Sequence, residues 1–271
     1  MPGGRMGTIG CGTVLIALVI GWLTGTNPLQ ILQLLSGGAA SSTQSAPRPG
    51  PETGQAPSSD DPGRKFVSVV LADTEDTWSE IFAADRQTYE KPRLVLFTQA
   101  TQTGCGFGQA ATGPFYCPED NTVYLDLSFF EELQRMGAPG DFARAYVIAH
   151  EVGHHVQNLT GIEGKVRQLR ERVSETQANQ LSVALELQAD CFAGVWGHHG
   201  AKRGLVQPGD AEEGLRAAAA IGDDRLQKMS QGYVSPESWT HGSSQQRMEW
   251  LKRGLESGDV GVCNTLENRS R

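Results

Sequence analysis

The sequence predicts an α+β domain, a small sheet followed by a mostly helical half, preceded by one transmembrane helix. Three observations carry that expectation: an uncharged apolar run near the start, β-like runs before residue 127, and helical apolar spacing over most of the chain beyond it. A chain of 271 residues suits one sizeable core. The net charge of -8, with no cluster of Lys and Arg, argues against nucleic acid as a partner.

Residues 1–35 are expected to form an N-terminal membrane-anchor region. Thr8 to Leu23 is apolar, no charged residue stands between Arg5 and Arg48, and Trp22 suits an interfacial position. Arg5 and the terminal amine are the only basic groups close to this run, so the rest of the chain is expected on the extracytoplasmic side. A cleaved signal peptide is the competing reading, because Gly37-Gly38-Ala39-Ala40 would suit a signal peptidase. Residues 36–64 are rich in Ser, Gly, Pro, Ala, Gln and Thr. With little apolar surface to bury they read as a flexible tether, leaving residues 65–271 as the folded domain.

Within that domain, residues 76–89 have helical spacing behind Asp76 as a cap, and Arg93–Thr98 is β-like. Thr122–Asp126 has strand composition and comes after a turn-forming Pro118-Glu119-Asp120-Asn121. Helices are expected at Leu127–Met136 and Phe142–Leu159, over a long region at 165–196 that an interruption could divide, and at 208–231 and 243–256.

Cys105, Cys117, Cys191 and Cys263 lie outside the apolar run, and an even number in an exported chain points to disulfides. Pairing Cys105 with Cys117 would close a Gly-rich excursion and contribute about 3 kcal/mol by chain entropy. Cys191–Cys263 is then the second pair by elimination. A four-cysteine metal site is disfavoured by the lack of a close Cys-x-x-Cys pair.

The chemistry centres on His150-Glu151-Val152-Gly153-His154. Histidines four apart on a helix share a face and can direct ring nitrogens at one ion, while Glu151, one step round, can reach a metal-bound water as general base. A surface helix with two solvated histidines is the bland alternative, which the apolar Ala145-Tyr146-Val147-Ile148-Ala149 before the motif disfavours.

Glu186 is the expected third ligand, because Asp190 stands four residues on and can orient a ligating histidine. Glu175 is a rival with only Asn179 at the corresponding place. His198 and His199 lie about 18 Å of helical rise from Glu186 and read as surface residues, and His155 reads as structural or exposed. His241, just before the expected helix carrying Arg247, is the candidate donor to a reaction oxyanion; the plainer alternative has both residues capping or pinning that helix.

The segments 150–157, Glu186–Trp196 and His241-Gly242-Ser243-Ser244 with Arg247 together resemble the bacterial family of neutral zinc metallopeptidases. Gly113–Pro118 and Tyr124-Leu125-Asp126 fit as well, and the likeness spans roughly residues 65–265. It implies a zincin-like fold of the gluzincin type, one Zn2+ per chain held by His150, His154 and Glu186, and Glu151 as catalytic residue. The Glu-x-x-Ala-Asp segment is also similar to that of membrane zinc proteases acting on prenylated proteins. A peptide or protein substrate is implied, and Thr122–Asp126 is expected, by analogy with zincins, to be the edge strand to which it adds. A membrane-tethered zinc scaffold without activity and a non-peptidase zinc hydrolase are the alternative functions.

Overall fold

A computed structural model describes residues 58–109 and 113–266 of the chain, all within one compact unit, Pro51–Arg271. Helix α1, Pro62–Ala84, is longer and earlier than the helix expected at 76–89. Its true cap is Asp61, whose side chain accepts from the Arg64 amide, and Pro62 fixes the first helical φ. Val67, Val70, Leu71, Trp78 and Phe82 recur at helical spacing and bury one face. The helix stops before 89 because Arg86 takes a left-handed φ of 58°.

Strand β1, Arg93–Phe97, runs parallel to β5, Thr122–Asp126, and β4, Phe115–Cys117, pairs antiparallel with β5. The order β1-β5-β4 makes β5 the central strand, with all five of its residues buried. This corrects the expectation that Thr122–Asp126 is an edge: its hydrogen-bonding groups are taken on both sides, and β4 lies outside it. Three residues are too few for an alternating pattern to show, so β4 left no signal in the sequence. A hairpin of β2, Ala100–Thr103, and β3, Gly106–Gln109, forms a separate two-stranded sheet. The Cys105–Cys117 disulfide ties its turn to β4, and the Asp120 carboxylate accepts from the Gly104 amide and the Tyr124 hydroxyl, both at 2.7 Å.

The helical half comprises α2 (Ser128–Arg135), α3 (Asp141–Leu159), α4 (Ile162–Arg170), α5 (Glu175–Lys202), α6 (Asp210–Ala220), α7 (Asp223–Gln231) and α8 (Ser244–Ser257). The region expected at 165–196 is two helices, because Ser174 and Gln177 form a capping box that restarts the chain as α5. The region at 208–231 breaks at Gly222, where a Cβ would collide with the Ser244 backbone. Ser243 and Gln246 form a second capping box and open α8.

Helix α3 is central and almost wholly buried, between one apolar cluster around Leu133, Tyr146, Ile148, Trp196 and Leu251 and another around Trp78, Phe82, Val152, Val156 and Phe192. Two glycine approaches set the helix crossings. Gly194 of α5 meets Gly254 of α8 so closely that a Cβ on either would strike backbone of the other helix. Gly153 of α3 lies against Ala189 of α5, where a Cβ would sit 3.0 Å from the Ala189 Cα and carbonyl oxygen. The second disulfide, Cys191–Cys263, joins α5 to the C-terminal segment.

The expected anchor at 1–35 and most of the tether lie outside the described residues. Among the described residues no helix is long and apolar enough to cross a membrane.

Candidate metal centre

The Gly153–Ala189 approach carries α5 past the zinc motif at a distance where short side chains meet. His150 and His154 project from one face of α3, and Glu186 comes from α5, one turn before Asp190. His150 Nε2 and His154 Nε2 are 3.2 Å apart, and the Glu186 carboxylate lies 3.2 Å from the first and 3.4 Å from the second. The edge of a tetrahedron around zinc with bonds of about 2.05 Å is about 3.3 Å, close to each of these separations, in which Oε2 of Glu186 faces His150 and Oε1 faces His154.

The tautomers leave little choice about what those atoms are. His150 Nδ1 lies 2.8 Å from Asp190 Oδ1, which can only accept, so Nδ1 carries the proton. His154 Nδ1 lies 2.9 Å from Gln157 Oε1, and the amide nitrogen of Gln157 donates to the Leu185 carbonyl and to Gln188. When neutral, each ring therefore turns a bare Nε2 lone pair toward the other and toward a carboxylate. Three converging lone pairs repel, and a cation relieves them. Among the described residues His150, His154 and Glu186 form the group of His, Cys, Asp and Glu side chains suited to hold a metal ion.

The electrostatics agree. Burial alone would lower His150, yet Asp190 and Glu186 lift it to about 9. Burial alone would raise Glu186, but the two histidines hold it well below its ordinary value. The pocket favours positive charge. Asp190, buried, is held at about 2 against desolvation, chiefly by Arg247 and then by His150.

Arg247 is 2 % exposed and grips Asp190 with two bonds of 2.8 Å, from Nε to Oδ2 and from the guanidinium NH2 group to Oδ1. The Tyr146 hydroxyl donates to the same Oδ1 at 2.6 Å. Arg247 thus pins α8, the plainer of the two sequence expectations, by neutralising the carboxylate that orients His150. Sequence reasoning missed Tyr146 and Gln157. Their spacing held a signal, since Tyr146 stands four residues before His150 and Gln157 three after His154 on one helix. It also missed Gln188, which donates to the Cys263 carbonyl at 2.9 Å and so links the His154 support to the second disulfide.

Glu151 is buried and lines a cleft of about 570 Å³ together with the three candidate ligands. Phe115 and Tyr116 of β4 form part of the wall, and His241 lines the same cleft. His241 is half exposed, with Nδ1 3.1 Å from Asp223 Oδ1. Asp223 also accepts the backbone amides of Thr240, His241 and Gly242 at 2.8, 2.7 and 3.0 Å, a cradle the sequence did not reveal. The bond to Asp223 is the main cause that raises His241.

The other histidines are accounted for by structure. His155 is buried between the Glu90 carbonyl and the Tyr116 hydroxyl, and desolvation lowers it. His198 and His199 hold the Leu255 and Gly258 carbonyls at the end of α8. Glu175 sits in the first turn of α5, outside the cluster.

The family described as "putative neutral zinc metallopeptidase" matches the chain over residues 1–266. The chain belongs to that family. Zinc is the metal this neutral zinc metallopeptidase family implies, and two imidazoles with one carboxylate suit it. The chain is 51% identical over 266 residues to uncharacterized protein YpfJ of Escherichia coli K12, covering 98% of this chain and 90% of that one. It is 38% identical over 214 residues to uncharacterized protein Rv2575 of Mycobacterium tuberculosis, covering 74% and 71% of the two chains. No solved structure matches the chain.

Proposed function

We propose that this family member is a zinc-dependent endopeptidase in which His150, His154 and Glu186 hold the ion and Glu151 is the general base. The reading rests above all on two imidazole nitrogens 3.2 Å apart, each within 3.2 to 3.4 Å of an oxygen of the Glu186 carboxylate, in a cleft that Glu151 also lines. Bound there, zinc supplies Lewis acidity, acidifying a water and polarising a scissile carbonyl. Glu151 takes the proton from the attacking water and passes it to the departing amine. Asp190, pinned by Arg247 and Tyr146, keeps the His150 Nε2 lone pair on the ligand side, and Gln157 does the same for His154.

With its Nδ1 held by Asp223, His241 presents Nε2 as the hydrogen-bond donor for the substrate oxyanion. An extended peptide adds to the outer edge of β4, whose other side is paired with β5. An inert scaffold would close the ion with a fourth side chain, and no further His, Cys, Asp or Glu joins the cluster among the described residues. For location we propose that residues 8–23 anchor the chain and hold the domain outside the cytoplasm, a setting that suits two disulfides.

The test is cleavage of an unstructured protein such as casein by the zinc-loaded chain. Glu151→Gln should keep one zinc and lose activity. Equal cleavage by both proteins would refute the mechanism. A reporter fused after Arg271 should fold outside the cytoplasm, and cytoplasmic reporter activity would refute the topology.

A further inference from the structure

One carboxylate of the cleft has no part in holding zinc or in the proposed hydrolysis. Glu163, in the first turn of α4, lines the cleft beside His154 and Tyr116. Its Oε2 is buried and has no hydrogen-bond partner among the described residues. An acidic residue in a helix's first turn is ordinarily a solvated complement to the dipole, and such a role does not require an oxygen withdrawn from water. Leaving a buried acceptor unmade costs free energy, so the arrangement calls for a donor.

No donor to it stands among the described residues. Arg167, the basic side chain that most affects Glu163 from its own helix, reaches Glu119 at 3.3 Å instead. Arg170 lines the cleft farther along α4, and no ion pair joins it to Glu163 among the described residues. Burial pushes the Glu163 carboxyl up, while His154 and Arg167 pull only part of the way back. Burial pushes Tyr116, on the strand edge proposed to carry the peptide, up to about 12, and the Glu163 charge adds to that rise.

We propose that Glu163 is a specificity-determining residue that takes a cationic group of the substrate, a guanidinium or ammonium, next to the metal centre. The assignment rests on the peptidase reading, since it supposes that a peptide lies along β4 and across the zinc ligands. A basic side chain and a free chain terminus share this chemistry, and two pairs of probe peptides separate them.

The experiment measures binding and needs no turnover. Full-length, zinc-loaded protein carrying Glu151→Gln is titrated calorimetrically with an acetylated, amidated alanine pentapeptide bearing a central arginine, and with its citrulline twin. The second pair of titrations compares an all-alanine pentapeptide with a free amine and its acetylated form. The expected result is that one cationic member binds at least about tenfold more tightly than its neutral twin. Adding Glu163→Gln should erase that advantage. Glu163→Lys should reverse it, favouring a central glutamate, an outcome that misfolding cannot imitate. Equal binding of both pairs, or a cationic advantage that survives Glu163→Gln, overturns the assignment. Casein cleavage by the chain with Glu151 intact tests the peptidase reading separately. Cleavage without any cationic preference refutes the subsite alone, and a preference that depends on Glu163 without cleavage supports the subsite while the peptidase reading fails.

Discussion

Asp190→Asn isolates what holds the metal centre together. The native carboxylate receives four donors: His150 Nδ1, the Tyr146 hydroxyl and two guanidinium nitrogens of Arg247. An amide of the same shape keeps one acceptor oxygen and sets an NH2 group against another donor. It also leaves the charge of Arg247, 2 % exposed, without a counterion. Removing one member of a buried ion pair costs about 3–5 kcal/mol, which in a domain of this size lowers Tm by roughly 10 °C. The carboxylate also raises the basicity of His150, so zinc affinity should fall about 10- to 100-fold.

Thermal unfolding of the metal-stripped protein reads the first effect, and zinc competition against a chelator reads the second. Asp190→Asn combined with Arg247→Met removes the stranded charge as well, so it should recover much of the lost Tm without recovering zinc affinity. The reasoning would be falsified if Asp190→Asn melted within about 1 °C of wild type, or if the double variant were no more stable than the single one.

Gly153→Ala places a Cβ 3.0 Å from the Ala189 backbone, where no flexible side chain can yield. It should cost about 1–3 kcal/mol and weaken zinc binding by shifting Glu186 away from the histidines, both measurable on the same two assays. Cys191→Ala with Cys263→Ala opens a loop of sequence separation 72, worth about 4 kcal/mol in the chain-entropy model. Guanidinium unfolding of the metal-stripped protein should show that loss, and an unchanged midpoint would contradict it.

The pH dependence turns on His241 and Asp223. His241 is raised in the fold, so its share of stability is present below its unfolded pKa of about 6.5 and is lost as pH rises through the folded value. Asp223 is lowered, so its share is present above about 3.9 and is lost as pH falls through its folded value. Asp223→Asn should therefore reduce stability mainly between about pH 4 and 6.5. If protonated His241 serves the oxyanion, the same variant should move the alkaline limb of kcat to lower pH. A limb that stays in place would exclude that role.

The candidate ligands were legible because they obey spacings along single helices. His150 with His154, and Glu186 with Asp190, are each i,i+4 pairs, and the geometry of one helix turns such spacing into a shared face. The capping residues Ser174 and Ser243 and the apolar run of β5 are equally local, although not every helix break they impose is evident from spacing alone. The β4 strand was too short to register, and the place of β5 in the sheet depended on it.

By itself, then, the sequence determined the histidine face of α3, the carboxylate pair of α5 and a small sheet ahead of a mostly helical half, and it pointed to two disulfides. The tertiary structure decided which distant groups complete them. Arg247 reaches Asp190 across 57 residues, Gln188 reaches Cys263 across 75, and Asp223 gathers the backbone around His241. The first of those contacts joins helices that Gly194 and Gly254 let meet at near-backbone distance, and the approach of Gly153 to Ala189 brings α5 against α3. Periodicity along one helix records which side is buried; it carries no record of which side chain of another helix arrives there.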